Sequence, residues 1–171
     1  MIYTLLEPKH PLLHSPLPEI TAETEPKDRL ELTNNIAETM KHYGGIGLSA
    51  NQVGIALRMF VFGDGKHFIP CFNPKILEYG GPEVAIEEGC LTYPGLFVKI
   101  YRPDRIVAQW EDEKRELHKE TFTGLQSRVF QHEFDHMEGI DFRNLAGRIS
   151  LDIAQRKVKR AKRKMKEMKE R

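Results

Sequence analysis

The stretch LQSRVFQHEFDHMEG (125–139) determines how the rest of the chain must fold around it. Its apolar residues recur at helical spacing and Gly139 follows the last of them, so the pattern predicts a helix. His132 and His136 are four residues apart, hence about 40° apart around the helix axis, and both face one side. Glu133 lies next to the first histidine, where a general base is needed. This HExxH arrangement predicts two metal ligands and a base from one helical turn, although two surface histidines would show the same spacing.

A catalytic metal site built in this way needs a third protein ligand and an open coordination position. Downstream of His136 the chain has no histidine. Some of the acidic residues there are too close to His136 in sequence to act as the third ligand, others lie in a basic tail, and Asp152 is expected to cap a helix. We therefore expect the third ligand upstream, at Cys90, where a preceding glycine permits a turn that aims the thiol. A bound metal would keep this sulfur as a thiolate. Taken alone, Cys90 would more often be an ordinary buried cysteine, which is our interpretation of Cys71.

Around this helix the sequence predicts an α+β fold. Residues 26–43 have a helical pattern, and a basic helix is expected from near Ser150, capped by Ser150 or Asp152. Between the helices, strand-like segments follow one another at short intervals, which favours antiparallel pairing. These segments are 57–62, 68–72, 83–88, 96–101, 105–110 and 116–123. We expect mostly antiparallel sheets packed around a central HExxH helix, with a C-terminal helix and an extended first segment running over the surface.

Composition limits the class of protein. The 171 residues are 40% hydrophobic and 30% charged, which suits one globular domain and excludes fibrous and disordered chains. No apolar run is long enough to cross a membrane and no signal peptide is evident, so with only two cysteines we expect a cytoplasmic protein. Residues 148–171 carry a net charge of +8 against −7 for the rest, and such a tail is attracted to polyanions.

Three segments together resemble the motifs of the peptide deformylase family, in the family's order and at its separations: GIGLSANQ (45–52), EGCLT (88–92) and QHEFDH (131–136). The resemblance covers residues 1–150, with residues 151–171 as a basic C-terminal helix continuing from the same domain. It implies a metal-dependent hydrolase that removes the formyl group from the N-terminal formylmethionine of newly made polypeptides and releases formate. Ser49 and Thr92 replace the usual alanine and serine, and we expect activity to survive both changes.

The resemblance also implies roles for individual residues. The metal ligands are Cys90, His132 and His136, and Glu133 acts as base and then as acid. The side-chain amide of Gln52 and the backbone N–H of Leu91 would stabilise the oxyanion. The substrate-binding residues are Ile46, Gly47, Glu88, Gly89, Leu125, Arg128 and Val129, of which the apolar ones would otherwise be core. The metal is expected to be Fe(II), with Zn(II), Ni(II) or Co(II) as substitutes.

Further expectations concern supporting contacts and partners. Asp135 is expected to pair with a base such as Arg102 and to hold the helix in place. The peptide would lie as an added strand, bonded to the backbone near Gly47 and near residues 89–91. The resemblance implies that the basic tail docks on ribosomal RNA, and the protein is expected to be a monomer. Two alternatives stay open: a zinc peptidase that uses the same helix, and a non-catalytic ribosome-associated module.

Overall fold

The computed structural model describes residues 1–63 and 67–169, and within them it has three α-helices and five strands. The helices are α1 (Arg29–His42), α2 (Gly124–Met137) and α3 (Arg148–Lys169). The strands are β1 (Gly47–Ser49), β2 (Met59–Gly63), β3 (Phe68–Gly89), β4 (Phe97–Glu111) and β5 (Leu117–Thr123). The strands form one sheet in the order β1-β2-β3-β4-β5, and every pair is antiparallel. The predicted α+β class with antiparallel pairing is confirmed.

The prediction of six separate strand segments was wrong in its boundaries. Segments 68–72 and 83–88 both lie in β3. Segments 96–101 and 105–110 both belong to β4, except for Leu96, which directly precedes it. The register of β3 against β4 shifts three times, the last shift falling between Gly80 and Glu83. A bulge bends a strand without ending it, so the glycines and prolines that indicated turns mark bulges instead.

The helix starts also differ from the predicted ones. Helix α1 begins at Arg29 because the Asp28 carboxylate accepts a hydrogen bond from the Glu31 N–H at 2.8 Å and so caps the first turn. Helix α3 begins at Arg148, which places Ser150 and Asp152 inside its first turns, so neither is the cap. The Asp152 carboxylate instead pairs with Arg156 at 2.8 Å. These shifts leave the helices themselves where the pattern predicted them.

An aromatic cluster fixes α2 against the sheet. Phe130 of α2 packs edge-on against Phe60 at 5.0 Å and against Phe62 at 5.8 Å between ring centroids. Phe122 and Trp110 complete the cluster from β5 and β4. Cys71 is fully buried in the same cluster, as predicted, and burial raises the pKa of its thiol. Since cores pack at near-crystalline density, α2 is held rigidly and can position its polar face.

The first segment of the chain runs over the body of the protein, as expected, and is pinned to it. Leu13, Leu17 and Ile20 are buried. The side chain of Asn73 accepts a hydrogen bond from the Ile20 N–H at 2.7 Å and donates one to its carbonyl at 3.1 Å. Asn73 adopts the left-handed conformation with φ of 49°, which asparagine tolerates better than most residues. The segment is thereby fixed to the start of the long strand β3.

A smaller cluster lies behind Cys90. Ala154 of α3 is buried there, and Leu151 and Val158 pack against the same cluster with Leu96 and its neighbours. The first half of α3 therefore belongs to the packed body, whereas its side chains beyond Val158 are exposed as far as residue 168. A search of the described residues finds no helix with the length and apolar character needed to cross a membrane.

Candidate metal centre and substrate cleft

Three potential ligand atoms converge at the end of β3. Cys90 directly follows Gly89, the last residue of the strand, and α2 presents His132 and His136 from one face. The Sγ of Cys90 lies 3.4 Å from Nε2 of His136, and one ligand atom from each of the three residues lies within 4.8 Å of the others. All three side chains are buried. The structure therefore brings together the cysteine and the two histidines that the sequence singled out.

Glu88 orients the first histidine. Its Oε2 lies 3.0 Å from Nδ1 of His132, which leaves Nε2 of that ring to face Cys90. The Glu88 carboxylate also accepts hydrogen bonds from Arg102 at 2.7 and 3.0 Å and from Arg128 at 2.9 Å. Burial alone would raise the pKa of Glu88, but hydrogen bonds with His132 and Arg102 outweigh it and hold the pKa at about 2. The carboxylate stays ionised and fixes the ring.

The predicted partner of Asp135 is confirmed. Arg102 donates to the Asp135 carboxylate at 2.7 Å and to Glu88 on its other edge. One guanidinium thus connects Glu88 of β3, the strand that leads into Cys90, to the helix that carries the histidines. Bidentate and bridging guanidinium contacts of this kind fix geometry more tightly than a single ion pair does.

Glu133 lies beside the three ligands with a free oxygen. The residue is 4% exposed, and its Oε2 has no hydrogen-bond partner among the described residues. Burial raises the pKa of Glu133 to about 7, more than offsetting the lowering by His132 and His136. Gly47 of β1 passes so close that an added Cβ would collide with Oε1 of Glu133. A buried carboxylate of this kind is suited to carry a proton near neutral pH.

The amide of Gln52 is hydrogen-bonded to both residues that depart from the family motifs, Ser49 and Thr92. Its Oε1 accepts hydrogen bonds from the Ser49 N–H at 3.0 Å and from the Ser49 hydroxyl at 2.9 Å. Its Nε2 therefore points the other way, towards the Thr92 hydroxyl at 3.0 Å and Sγ of Cys90 at 3.4 Å. The added hydroxyl of Ser49 is thus satisfied although it is buried.

A cavity of about 450 Å³ opens onto these groups. All seven residues expected to bind substrate line it, together with Gln52, Cys90, Leu91, His132 and Glu133. Leu125 and Ile46 are 60% and 46% exposed and lie towards its mouth, whereas Val129 is buried. Glu88 and Arg128 contribute surface, but their charged groups are bonded to each other beneath it. Sequence reasoning missed the aromatic part of the lining, which consists of Tyr43, Tyr93 and Phe97. For Tyr93 and Phe97 the only signal was the YPGLF run (93–97) directly after the cysteine motif.

The donor set fits a divalent transition metal. A thiolate and two imidazoles suit borderline cations such as Zn(II) and Fe(II), and three protein ligands leave a position open for water or substrate. A water in such an open position needs a base beside it, and the unpartnered Oε2 of Glu133 can serve as that base. Burial raises the pKa of the Cys90 thiol, but the adjacent His136 and His132 rings lower it well below its usual value, so the sulfur is ready to act as a ligand.

Known proteins of one family resemble this chain over most of its length. A family model described as polypeptide deformylase matches residues 2–151. The chain belongs to the peptide deformylase family. The enzyme from Thermotoga petrophila is 46% identical over 114 residues, which cover 66% of this chain and 70% of that protein. The enzyme from Cytophaga hutchinsonii is 37% identical over 150 residues, covering 83% and 80% of the two chains.

Solved peptide deformylase structures share the fold as well. The crystal structure from Thermotoga maritima matches with a TM-score of 0.81 at 35% identity and covers 86% of this chain and 99% of that chain. The structure from Legionella pneumophila matches with a TM-score of 0.84 at 29% identity, covering 96% and 98%. The family predicted from three short motifs is therefore confirmed. Peptide deformylases are metal-dependent hydrolases.

Proposed function

We propose that this chain removes the formyl group from N-formylmethionine at the start of newly made polypeptides and releases formate. The observation that carries the proposal is the buried, unpartnered Oε2 of Glu133, a residue that lines the cavity beside the converging Cys90, His132 and His136. Cys90, His132 and His136 would hold one divalent metal. When bound, this metal supplies Lewis-acid activation of water and polarisation of the formyl oxygen.

The native metal in this proposal is Fe(II), with Zn(II), Ni(II) or Co(II) as substitutes. One thiolate with two imidazoles is softer than a set of carboxylates and matches these cations rather than Mg(II) or Ca(II). Cys90 is 8% exposed and His136 is 6% exposed, so solvent has little access to the ligands from outside the cavity.

Glu133 carries the proton in the proposed reaction. Its Oε2 accepts the proton that the attacking water loses and then delivers it to the leaving amine of the methionine. The carboxylate must be ionised for the first step, and a pKa near neutrality lets it exchange a proton in both directions. Gly47 keeps space free next to it, which a larger residue would fill.

Two donors stabilise the negative charge that develops on the formyl oxygen. The Nε2 group of Gln52 is held by Ser49 on the side of Cys90. The N–H of Leu91 lies beyond the last pair of the β3–β4 ladder, Gly89 with Phe97, and so is not engaged by that ladder. Losing one donor of this kind typically costs about 2.7–4 kcal/mol of activation free energy.

The peptide would lie as an added strand between Gly47 on β1 and Gly89 on β3, with its methionine side chain in the cavity. Leu125, Val129 and Ile46 supply the apolar surface, whereas Glu88 and Arg128 lie at the bottom of the pocket, where their charges are already paired with each other. The narrow space next to Gly47 admits a formyl hydrogen more easily than a larger acyl group, so acetylated peptides should react much more slowly.

The decisive experiment measures formate release from N-formylmethionyl peptides by anaerobically prepared protein, with metal content determined on the same sample. Glu133→Gln should keep the metal and lose about 10²–10⁴-fold in kcat. Cys90→Ser should lose both metal and activity, whereas Cys71→Ala, a change at the other buried cysteine, should retain both. Cleavage of unformylated peptides with Cys90 dispensable would favour the zinc peptidase. Unchanged behaviour of Glu133→Gln would favour a non-catalytic module.

We further propose that the enzyme acts in the cytoplasm as a monomer and docks on ribosomal RNA through the exposed half of α3. Residues 159–168 are exposed and strongly basic, and the part of α3 that packs on the body ends before them. Binding that neutralises phosphates should weaken steeply with salt. Arg160→Glu with Lys164→Glu should reduce ribosome binding and its salt dependence while sparing hydrolysis of short formyl peptides. Equal binding by both forms would contradict the docking proposal.

A further inference from the structure

Phe97 occupies an unusual place at the mouth of the cavity. Its ring is 59% exposed, although its neighbours Leu96 and Val98 are 6% and 2% exposed. This alternation is that of a strand with one buried face, so Phe97 stands on the outer face of β4. It lines the same cavity as Cys90 and Glu133.

The ring of Phe97 covers Gly89. The two residues are directly paired across β3 and β4, so their side-chain directions lie on the same face of the sheet. A Cβ added to Gly89 would lie 2.6 Å from Cε1 of Phe97, which means that the ring fills the space above the glycine. The Phe97 ring therefore packs over the backbone of Gly89, in the space that a side chain of residue 89 would otherwise fill.

The register of the proposed peptide strand determines which substrate residue meets this surface. With the formyl oxygen at the N–H of Leu91, the methionine stands opposite position 90 and the second residue of the peptide stands opposite Gly89. Residues opposite one another in a sheet share a face, and successive residues alternate between faces. The methionine thus points into the cavity, and the side chain of the second residue points to the face that Phe97 covers.

We propose that Phe97 is a specificity-determining residue that selects an apolar side chain in the second residue of the formylated peptide. The inference rests on the proposed deformylase function. A leucine in that position covers part of the ring and removes apolar surface from water on both partners, whereas a serine does not. Because the ring stays open on its outer side, the preference is modest, about three- to tenfold in kcat/KM.

The test compares formate release from formyl-Met-Leu-Ser and formyl-Met-Ser-Ser by the metal-loaded enzyme, expressed as the ratio of the two kcat/KM values. Phe97→Ser should bring this ratio close to one, and Phe97→Leu should keep most of it. Tyr101→Ser is the matched control, since Tyr101 lies on the same face of β4, is 65% exposed and does not line the cavity. It should leave the ratio unchanged.

Two results would overturn the inference: a ratio of one in the unaltered enzyme, or a ratio that Phe97→Ser leaves unchanged. If both rates fall equally in that variant, the unchanged ratio would show a merely structural role for the ring. Absence of formate release from every formyl peptide by the unaltered, metal-loaded chain would instead contradict the proposed function itself, so the two failures are distinguishable.

Discussion

Replacing Gly47 with alanine tests whether the position of Glu133 sets the reaction rate. The added Cβ would lie 2.9 Å from Cδ of Glu133 and 2.9 Å from Cγ1 of Val129, and closer still to Oε1 of Glu133. Ordinary contacts of this kind lie at 3.4–4 Å, so the carboxylate must move by about 0.5–1 Å. Gly47 has no positive φ, so backbone strain does not contribute.

The expected magnitudes follow from this displacement. Overpacking of a buried site costs about 1–3 kcal/mol of stability, and misplacement of a catalytic group by about 1 Å costs about 100-fold in rate. Metal content should stay near that of the unaltered protein, because the added methyl group meets none of the three ligands among its nearest atoms. Gly147→Ala is the control, since an added Cβ there finds only the Ser150 hydroxyl, at 3.9 Å.

The assay is formate release combined with thermal unfolding, and a double mutant identifies the cause. If Gly47→Ala acts through Glu133, the double mutant with Glu133→Gln should be about as slow as Glu133→Gln alone, because the two changes disable one group. Near-normal kcat/KM in Gly47→Ala, or fully additive losses in the double mutant, would refute the reasoning.

Three further predictions concern stability. Asn73→Ala should destabilise the fold by about 1–3 kcal/mol in urea unfolding, and Asn73→Gly by less. Both variants lose the hydrogen bonds to Ile20, but only alanine also disfavours the positive φ. Equal losses of stability in the two variants would show that the positive φ contributes nothing. Burial alone would raise the pKa of Asp141, but hydrogen bonds from Arg143 and Tyr93 outweigh it and lower this pKa. The ionised carboxylate therefore contributes its full stabilisation at a pH above 3.8, the ordinary pKa of aspartate, and this stabilisation is lost as the pH falls through the lower pKa of the folded state. Asp141→Asn should reduce this acid dependence, and an unaltered pH profile of unfolding would count against it. Deleting residues 160–171 should spare folding and formate release. Deleting residues 151–171 should destabilise the protein, because it uncovers the apolar cluster behind Cys90. Equal melting temperatures of the two truncated proteins would contradict this.

The sequence was sufficient to predict that Cys90, His132 and His136 come together, because local geometry fixes most of this arrangement. Histidines four residues apart on a helix share a face whatever the tertiary structure, and the lack of downstream ligands pointed to Cys90. The long strands were not predictable in the same way. Gly80 and Pro82 are compatible with a turn or with a bulge, and only the pairing of β3 with β4 decides between them. The role of Phe97 likewise depends on a cross-strand neighbour, which no local pattern reveals.

Glu88 shows how the structure changes the meaning of a residue that the sequence had placed in the substrate pocket. Its Oε1 accepts from Arg102 at 2.7 Å and Arg128 at 2.9 Å, and its Oε2 accepts from Arg102 at 3.0 Å and lies 3.0 Å from Nδ1 of His132. A carboxylate has about four acceptor positions, so all of them are used and none remains for a polar group of the peptide. In the proposed complex, Glu88 would therefore contribute only surface to the substrate pocket. Its carboxylate holds the ring of His132, and the hydrogen bonds with His132 and Arg102 keep that buried carboxylate ionised.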